Sequence, residues 1–448
     1  MGYWYEEAVF YHIYPLGLTG APRENHNEAG NGFEKLKLWI PHMKKMGFTA
    51  LYIGPLFESS THGYDTKDYR TVDIRLGKNE DFKEFVSLCH EAGIHVVVDG
   101  VFNHTGREFF AFKDIQINRE NSRYKDWYKG INFWGNTRYN DGFGYEAWRN
   151  CFELVKLNLW NREVKDYLFD VIRFWIDEFN IDGIRLDCAD CLDFDFMKEM
   201  RFITMQKKED FWLMGEVIHG DYSRWANAEM LHSVTNYELH KGLYSGHNDY
   251  NYFEIAHTVR RLSDDNGGIC KGRKLYSFTD NHDVERLMSK LTRKEDYYPV
   301  QMLLYTLPGI PSIYYGSEWG IEGRKANGDD GPLRPEMDIT KQEDNLYSDY
   351  IAKLGQIHKE NPELSYGRYK ELMLKNRQYA FGRFLDNSMV LTAVNNDDIE
   401  AEVVVNIGFQ KAKAKDLFTD KEIVVGTDGK ISLVLPPHRG CMVRAERE

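Results

Sequence analysis

Short apolar segments alternate with amphipathic segments along most of this chain, and this alternation constrains the fold most strongly. The segments between the apolar runs, such as FEKLKLWIPHMKKMG, NEDFKEFVSLCHEAG and NREVKDYLFDVIRFWIDEFN, have apolar residues spaced three to four apart, which predicts helices. Strands that alternate with helices pair in parallel, so eight such units predict an α/β fold, a closed (β/α)8 TIM barrel. The candidate strands are AVFYHIYPL (8–16), TALYIGPL (49–56), HVVVDGVF (95–102), GIRLD (183–187), FWLMGEV (211–217), SVTNYEL (233–239), KLYSFTDN (274–281) and PSIYYGSE (311–318).

Two further parts are predicted beside the barrel. Residues 105–155 form a long segment after the third candidate strand, and we expect an inserted B domain there. From about Gly367 onward, short β segments are separated only by turn residues, which predicts an antiparallel β-sandwich domain over residues 367–448. The barrel itself is then expected to comprise residues 1–104 and 156–366.

Composition narrows the partners and the compartment. The formal net charge is −13, with acidic and basic residues interspersed, which argues against nucleic acid or an anionic membrane as the main partner. No uninterrupted apolar segment reaches the roughly 18 residues of a membrane helix. The start, MGYWYEEAVF, has no basic leader before an apolar run, so we expect a cytoplasmic protein, although a mature secreted chain would look the same.

The six cysteines are scattered through the chain and match neither a small disulfide scaffold nor a zinc ribbon, so we expect reduced thiols. Cys188 and Cys191 have the spacing of a redox CxxC motif, which is an alternative reading of this stretch. Nothing upstream resembles a thioredoxin-like unit, and a small residue beside a strand-end carboxylate is the simpler interpretation.

Polar residues are concentrated where the predicted barrel strands end. In a (β/α)8 barrel the chemistry lies at the carboxyl ends of the strands, whereas charges in the helices belong to the surface. Several ionisable groups should therefore meet at one mouth of the barrel. Burying them costs free energy unless they form ion pairs, so such a cluster indicates a functional site. The residues concerned are Asp99, Asn103 and His104 after the third strand, Arg185 and Asp187 at the fourth, Glu216 at the fifth, and His282 and Asp283 at the seventh.

These residue types suit the cleavage of a glycosidic bond, which needs one protonated and one ionised carboxyl group. Asp187 lies beside Arg185, whose guanidinium favours the ionised carboxylate. Glu216 lies in the apolar run FWLMGEV, where desolvation favours the protonated form. Asp283 would be a third carboxylate, placed to hold sugar hydroxyls, and His104 and His282 would be neutral donors to the sugar.

Four short regions of the chain resemble those of the α-amylase family of retaining enzymes that act on α-glucans. They are DGVFNH (99–104), GIRLDCAD (183–190), GEVIHG (215–220) and FTDNHD (278–283), in order and each on the expected strand. The resemblance, which covers the whole chain, implies that Asp187 is the nucleophile, Glu216 the general acid/base and Asp283 the carboxylate that stabilises the transition state. It also implies that Tyr64, His104, Arg185 and His282 surround the sugar at the cleavage subsite.

Finer features are similar to members of the neopullulanase and cyclomaltodextrinase type. LVKLNLWN (154–161) and LPGIPSIYYGSE (307–318) are similar to segments of those members, which act on cyclodextrins, short maltooligosaccharides and sometimes pullulan. Asp330 and Arg334 resemble an Asp and an Arg that reach the next sugar, although their spacing departs from the usual pattern. The first barrel strand begins near Ala8, so we expect no dimer through an additional N-terminal domain; the oligomeric state stays open.

The resemblance raises the question of a structural calcium ion. Asn103 matches an asparagine that binds calcium in many α-amylases, and Asp114, Asp126 and Asp141 in the insertion are candidate oxygen ligands. The Lys-His pair that usually follows the nucleophile is replaced here by CADCL, which weakens the case. We expect no cofactor to be required, and Asn103 alternatively serves only to hydrogen-bond its loop.

Aromatic residues of the insertion are candidates for stacking on sugars, with a small local core as the alternative role. They are Trp134, Tyr139, Tyr145 and Trp148. The leading hypothesis is a retaining hydrolase of α-1,4-glucosidic bonds in maltooligosaccharides, starch fragments or related α-glucans. The alternatives are a transglycosylase, such as a glucanotransferase, or an isomerase on the same scaffold, and a catalytically inactive relative that serves as a partner subunit.

Overall fold

The computed structural model describes residues 2–448, and its centre is a barrel of eight parallel strands. Its strands are β1 (Phe10–Ile13), β2 (Ala50–Ile53), β3 (His95–Gly100), β4 (Gly183–Leu186), β5 (Trp212–Gly215), β6 (Ser233–Val234), β7 (Tyr276–Phe278) and β8 (Ile310–Tyr314). They pair in the order β6-β5-β4-β3-β2-β1-β8-β7, and a single parallel bridge between Thr235 and Tyr276 joins β6 to β7. The predicted (β/α)8 barrel is therefore confirmed.

Helices surround the barrel and cover its strands with apolar side chains. The helix Arg162–Phe179 is typical: the Asn161 side chain caps its start by accepting from the Glu163 amide at 2.8 Å, and Asn180 ends it in a left-handed conformation. The larger helices are Gly32–Lys37, Ile40–Lys45, Asn79–Glu91, Arg162–Phe179, Phe194–Lys207, Tyr237–Asn248, Tyr252–Ser263, Tyr297–Thr306 and Leu346–Glu360; Pro15–Leu18, Leu287–Lys290 and Pro362–Tyr366 are short.

Two local predictions were wrong. The segment FEKLKLWIPHMKKMG forms two helices, Gly32–Lys37 and Ile40–Lys45, because Pro41 lacks an amide N–H and its ring would clash with the carbonyl of Lys37. The predicted strand over residues 233–239 is only Ser233–Val234. The chain then turns at Asn236, whose side chain accepts from the Leu239 amide and caps a helix.

The two ends of the barrel interior differ in chemistry. Aromatic and aliphatic side chains fill the end where the strands begin, among them the fully buried Phe10 and Trp212. Charged and polar side chains lie at the end where the strands finish. Because Asp99 of β3 and Arg185 of β4 are register partners in neighbouring parallel strands, their side chains point into the barrel at the same level.

The insertion after β3 and the C-terminal region are mainly antiparallel. The insertion contains the helix Phe110–Asn118 and a three-stranded sheet of His104–Gly106, Cys151–Lys156 and Ala147–Trp148; a further hairpin, Phe57–Ser59 and Thr66–Val72, follows β2. The C-terminal strands form a six-stranded and a two-stranded sheet around a shared apolar core, which confirms the predicted β domain. They are β9 (Arg368–Leu374), β10 (Gln378–Leu385), β11 (Ser388–Asn395), β12 (Ala401–Asn406), β13 (Ala412–Asp416), β14 (Glu422–Ile423), β15 (Lys430–Leu435) and β16 (Arg439–Arg447).

No helix within residues 2–448 combines the length and the apolar character needed to cross a membrane.

Candidate active site

The Arg185 guanidinium is the centre of the polar cluster at the barrel mouth. Its Nη1 lies 2.9 Å from both Asp99 Oδ1 and Asp187 Oδ1, and its Nη2 lies 3.0 Å from Glu216 Oε2. The arginine is only 3% exposed. One buried cation thus gathers three carboxyl groups from the ends of three neighbouring strands, β3, β4 and β5, and partly offsets the cost of burying them.

The Asp187 and Glu216 carboxyl groups lie close together. One carboxylate oxygen of each lies within 4.8 Å of the other, and both residues are buried. Burial raises the pKa of Asp187 to about 8; Arg185 opposes this rise, and the charges of Glu216 and Asp99 add to it. The expectation that Arg185 keeps Asp187 acidic was incomplete, because burial and the neighbouring carboxylates outweigh the guanidinium. One shared proton would relieve the repulsion between two carboxyl groups this close together.

Asp283, after β7, has the opposite electrostatic environment. Burial acts to raise its pKa, but the contacts with His282 (Nε2–Oδ2, 3.0 Å) and Arg334 (Nη2–Oδ1, 2.9 Å) hold the pKa well below the ordinary value. Asp283 is therefore ionised across the physiological range. Asp187 and Asp283 therefore lie in opposite electrostatic environments within the same site.

Tyr64, His104 and His282 lie around this cluster. The Tyr64 hydroxyl donates to Asp99 Oδ2 at 3.1 Å and also contacts His282 Nε2. Burial lowers the pKa of His104 to about 3, so its ring is neutral. The buried Nε2 atom of His104 has no hydrogen-bond partner among the described residues, whereas its Nδ1 faces the Asn103 amide at 3.1 Å. The ring of His104 lines the cavity, and its Nε2 has unused hydrogen-bonding capacity.

Asp330 and Arg334 lie together in the loop after β8. Arg334 donates from Nε to the His282 carbonyl at 3.0 Å and from Nη2 to Asp330 Oδ2 at 3.3 Å. The other oxygen of Asp330 pairs with Lys325 at 2.8 Å. Arg334 therefore connects the β8 loop to the end of β7, in addition to facing the cavity.

One cavity of about 780 Å³ opens at this mouth. Arg185 and His282 lie behind its lining, where they position residues that face the space. Among the predicted site residues, the lining contains Tyr64, His104, Asp187, Glu216, Asp283, Asp330 and Arg334.

Of the four insertion aromatics proposed for sugar stacking, only Trp148 lines the cavity. Tyr145 is buried in the insertion and donates to the Phe152 carbonyl. Tyr139 stacks on the Arg107 guanidinium, 3.8 Å from the ring centroid, and Trp134 is 99% exposed. The local-core role therefore applies to Tyr145.

Sequence reasoning missed two residues that touch the candidate acid. Tyr237 places its hydroxyl 3.4 Å from Glu216 Oε1, and the Cys188 amide donates to Glu216 Oε2 at 3.1 Å. A correct end for β6 at Val234 would have placed Tyr237 just past the end of a barrel strand, where site residues lie. Cys188 was interpreted as a small neighbour of Asp187 or as half of a CxxC motif, and not as a hydrogen-bond donor to Glu216.

Two of the three insertion carboxylates named for a calcium site are bonded to other side chains. Both carboxylate oxygens of Asp141 accept from Arg107, at 2.7 and 2.8 Å, and Asp114 accepts from Asn118 and Ser122. Within residues 2–448, the only metal-compatible cluster of His, Cys, Asp and Glu side chains is Asp187, Cys188 and Glu216. A calcium ion held by Asn103 and Asp141 does not fit this arrangement, because the Arg107 guanidinium already pairs with both oxygens of Asp141, and Asp126 is exposed.

The CxxC stretch contains two free thiols in different surroundings. Cys188 is buried beside Asp187, and Cys191 is exposed. Burial, followed by the charges of Asp187 and Glu216, raises the pKa of the Cys188 thiol well above its ordinary range. A reactive redox cysteine needs a lowered pKa, so this stretch lacks the electrostatics of a thioredoxin-like site.

Comparisons with known proteins agree with this geometry. The family profile described as "Alpha amylase, catalytic domain" matches residues 34–361. A cyclomaltodextrinase from a Bacillus species is 31% identical over 426 residues, which cover 88% of this chain and 73% of the relative. Neopullulanase 2 of Thermoactinomyces vulgaris is 30% identical over 466 residues, which cover 98% of this chain and 78% of that protein. A solved cyclomaltodextrinase structure superposes with a TM-score of 0.88 at 26% identity, covering 99% of this chain and 78% of that one. The chain therefore belongs to the α-amylase family of glycoside hydrolases.

Proposed function

We propose that this protein is a retaining hydrolase of α-1,4-glucosidic bonds in maltooligosaccharides, starch fragments or related α-glucans. The observation that supports it most directly is the approach of Asp187 to Glu216, with carboxylate oxygens within 4.8 Å. Inverting enzymes need roughly 6.5–9.5 Å between their two carboxyl groups to admit a water molecule, whereas retaining enzymes need about 5–5.5 Å. The close pair favours a double displacement.

In the first step, Glu216 gives its proton to the glycosidic oxygen while Asp187 attacks the anomeric carbon. The leaving chain departs with a new hydroxyl group, and a covalent glycosyl ester forms on Asp187. In the second step, Glu216 takes a proton from water, the water oxygen attacks the anomeric carbon, and the ester bond to Asp187 breaks. Glu216 is thereby protonated again, and the sugar leaves with its original anomeric configuration.

The surrounding residues would hold the sugar during both steps. Asp283, kept ionised by His282 and Arg334, would accept hydrogen bonds from sugar hydroxyls that strengthen as positive charge develops on the ring. His104, whose Nε2 has no partner among the described residues, would bind a sugar hydroxyl, and Tyr64 would stack on the sugar. Asp330 and Arg334 would contact the adjoining sugar, and Arg185 would bind the carboxyl groups rather than the substrate.

The substrate class follows from the relatives, which are named for cyclomaltodextrins and pullulan. We propose that residues 1–104 and 156–366 form the catalytic barrel, that residues 105–155 form the B domain at the cavity, and that residues 367–448 are a covering β domain. We also propose a cytoplasmic location, since all six cysteines are free thiols.

A product profile tests this function. The purified protein is incubated with maltotriose, maltoheptaose, β-cyclodextrin, pullulan and soluble starch, and the products are identified by chromatography. We expect shorter maltooligosaccharides whose newly formed reducing ends are α-anomers in proton NMR spectra taken within the first minutes. Early β-anomers would contradict retention, no cleavage of any of these glucans would contradict the function, and products longer than the substrate would indicate transfer instead of hydrolysis.

A further inference from the structure

Cys188, the residue directly after Asp187, has an unusual backbone conformation for a residue with a side chain. Its φ and ψ angles are 48° and 46°, in the left-handed region that favours glycine. The turn makes the Cys188 amide point at Glu216 Oε2, at 3.1 Å, and the thiol point at Asp187 Oδ2, also at 3.1 Å. Glycine would relieve the backbone strain, but it would remove the second of these contacts.

The two contacts complete the hydrogen bonding of the carboxyl pair. Asp187 Oδ1 faces Arg185, so the thiol is the donor to its other oxygen. Glu216 Oε2 already has Arg185 and the Cys188 amide, which leaves Oε1 facing the Tyr237 hydroxyl at 3.4 Å. A thiol can donate one hydrogen bond, and a carboxylate can accept it only when that oxygen is unprotonated.

We propose that Cys188 is a positioning residue whose thiol, by donating to ionised Asp187, favours the shared proton of the catalytic pair on Glu216. Its amide occupies Glu216 Oε2 and so leaves Oε1 as the oxygen that carries the proton. The proposal rests on the proposed function and deepens it. With the thiol bonded to Asp187, the protonated form of Asp187 loses a hydrogen bond that the ionised form keeps. The proton is then favoured at Glu216 Oε1, where a general acid needs it.

Several other groups face the pair and set the background for this effect. Their contribution stays constant when only the thiol is changed, so a cysteine variant isolates the thiol. The groups facing Asp187 are Asp99 of β3, Arg185 of β4, Glu216 after β5 and Tyr69 of the β2 hairpin, and those facing Glu216 are Arg185, Asp187 and Tyr237.

The variants Cys188→Ala and Cys188→Ser form a matched pair for the test. Both keep a Cβ atom at the same left-handed backbone position, so they share the backbone strain, but only serine retains a donor. The control is Cys191→Ala, three residues further along, where the thiol is exposed and does not line the cavity. All four proteins are assayed for kcat/KM on maltotriose from pH 4 to pH 9.

For Cys188→Ala we expect the acidic limb of the kcat/KM profile to move to higher pH by about half a pH unit to one pH unit. The plateau of kcat/KM should fall about three- to tenfold, which corresponds to the loss of one hydrogen bond. Cys188→Ser should return the acidic limb to its wild-type pH and bring the plateau of kcat/KM to within about twofold of the wild type. Cys191→Ala should leave the limb and the plateau unchanged. If Cys188 only filled space, the two variants Cys188→Ala and Cys188→Ser would have the same pH profile of kcat/KM. That result would overturn the proposal.

A second measurement needs no turnover. The S–H stretching band of Cys188 is isolated in infrared spectra as the difference between wild type and Cys188→Ala. We expect a band of a hydrogen-bonded thiol that shifts towards the free-thiol frequency in Asp187→Asn, whose amide is a weaker acceptor. A free-thiol band in the wild type would refute the proposal even in an active enzyme, whereas a bonded band in a protein that cleaves no glucan would refute only the proposed function.

Discussion

Arg334, in the loop after β8, donates to Asp283, after β7, with 2.9 Å between Nη2 and Oδ1. The contact joins two separate segments of the cavity wall through one charge pair. Together with the contact from His282, which contributes more, it keeps Asp283 ionised. Arg334 would therefore have two roles, which are to help keep the Asp283 carboxylate ionised and to contact a sugar.

Replacing Arg334 with methionine tests this role. The variant keeps the apolar part of the side chain but removes the charge, so the pKa of Asp283 should rise towards its ordinary value. A carboxyl with a raised pKa takes a proton at a higher pH, so activity should be lost earlier as the pH falls. We expect the acidic limb of kcat/KM on maltotriose to move upward. An unchanged limb would refute the charge role, and Arg162→Met, which loses only surface ion pairs with Asp166 and Glu199, is the matched control.

The variants Glu216→Gln and Asp187→Asn test the two catalytic assignments. Each exchange preserves size and removes one ionisable group, so turnover of maltotriose should fall by roughly 10²- to 10⁴-fold or more. With 4-nitrophenyl α-maltoside, whose leaving group needs no proton, the first step in Glu216→Gln should recover in stopped-flow measurements. Substantial residual maltotriose cleavage in either variant, with an unchanged circular dichroism spectrum, would contradict the assignment.

The shared proton of Asp187 and Glu216 predicts the basic side of the pH profile. Because the pKa of Asp187 is raised to about 8, a proton held at this carboxyl group, or passed from it to Glu216, is lost above that pH. The acid form is then missing, so kcat/KM on maltotriose should decline as the pH rises through about 8. A profile that stays level to pH 10 would contradict the raised pKa; incubation at each pH followed by assay at pH 7 controls for unfolding.

Trp148 and Trp134 form a matched pair of tryptophans in the insertion. Trp148 lines the cavity, whereas Trp134 is 99% exposed, away from the cavity lining. If Trp148 stacks on a sugar, Trp148→Ala should raise KM for maltoheptaose about two- to twelvefold, which corresponds to about 0.5–1.5 kcal/mol. Trp134→Ala should leave KM unchanged. Equal effects of the two exchanges would refute the stacking role.

Chelation tests the interpretation of Asp141 as the ion-pair partner of Arg107. Since both oxygens of Asp141 are bonded to this arginine, incubation with excess EDTA should leave the melting temperature unchanged. The measurement is differential scanning calorimetry with EDTA and with added Ca²⁺. A melting temperature that falls with EDTA and recovers with Ca²⁺ would show that calcium binds at residues other than those assigned here.

The sequence by itself determined the barrel, its strand order along the chain and the set of polar residues at the strand ends. Strand and helix periodicity is local, and the carboxyl end of a barrel strand is the place for chemistry whichever helices surround it. The positions of Asp99, Arg185, Asp187, Glu216 and Asp283 therefore followed from the strands. The helix break at Pro41 could also have been predicted, because proline disrupts the helix in which it lies. The continuous apolar spacing of the segment instead favoured a single helix.

Only the tertiary structure decided how these groups act on one another. The proton affinity of Asp187 depends on burial and on carboxylates that follow other strands. That of Asp283 depends on the neighbouring His282 and also on Arg334, 51 residues away. Which insertion aromatic reaches the cavity, and that the Cys188 thiol points at Asp187, depend on how loops fold over the barrel. Burial and electrostatic interactions act through distances in space, and a single sequence states those distances only along the chain.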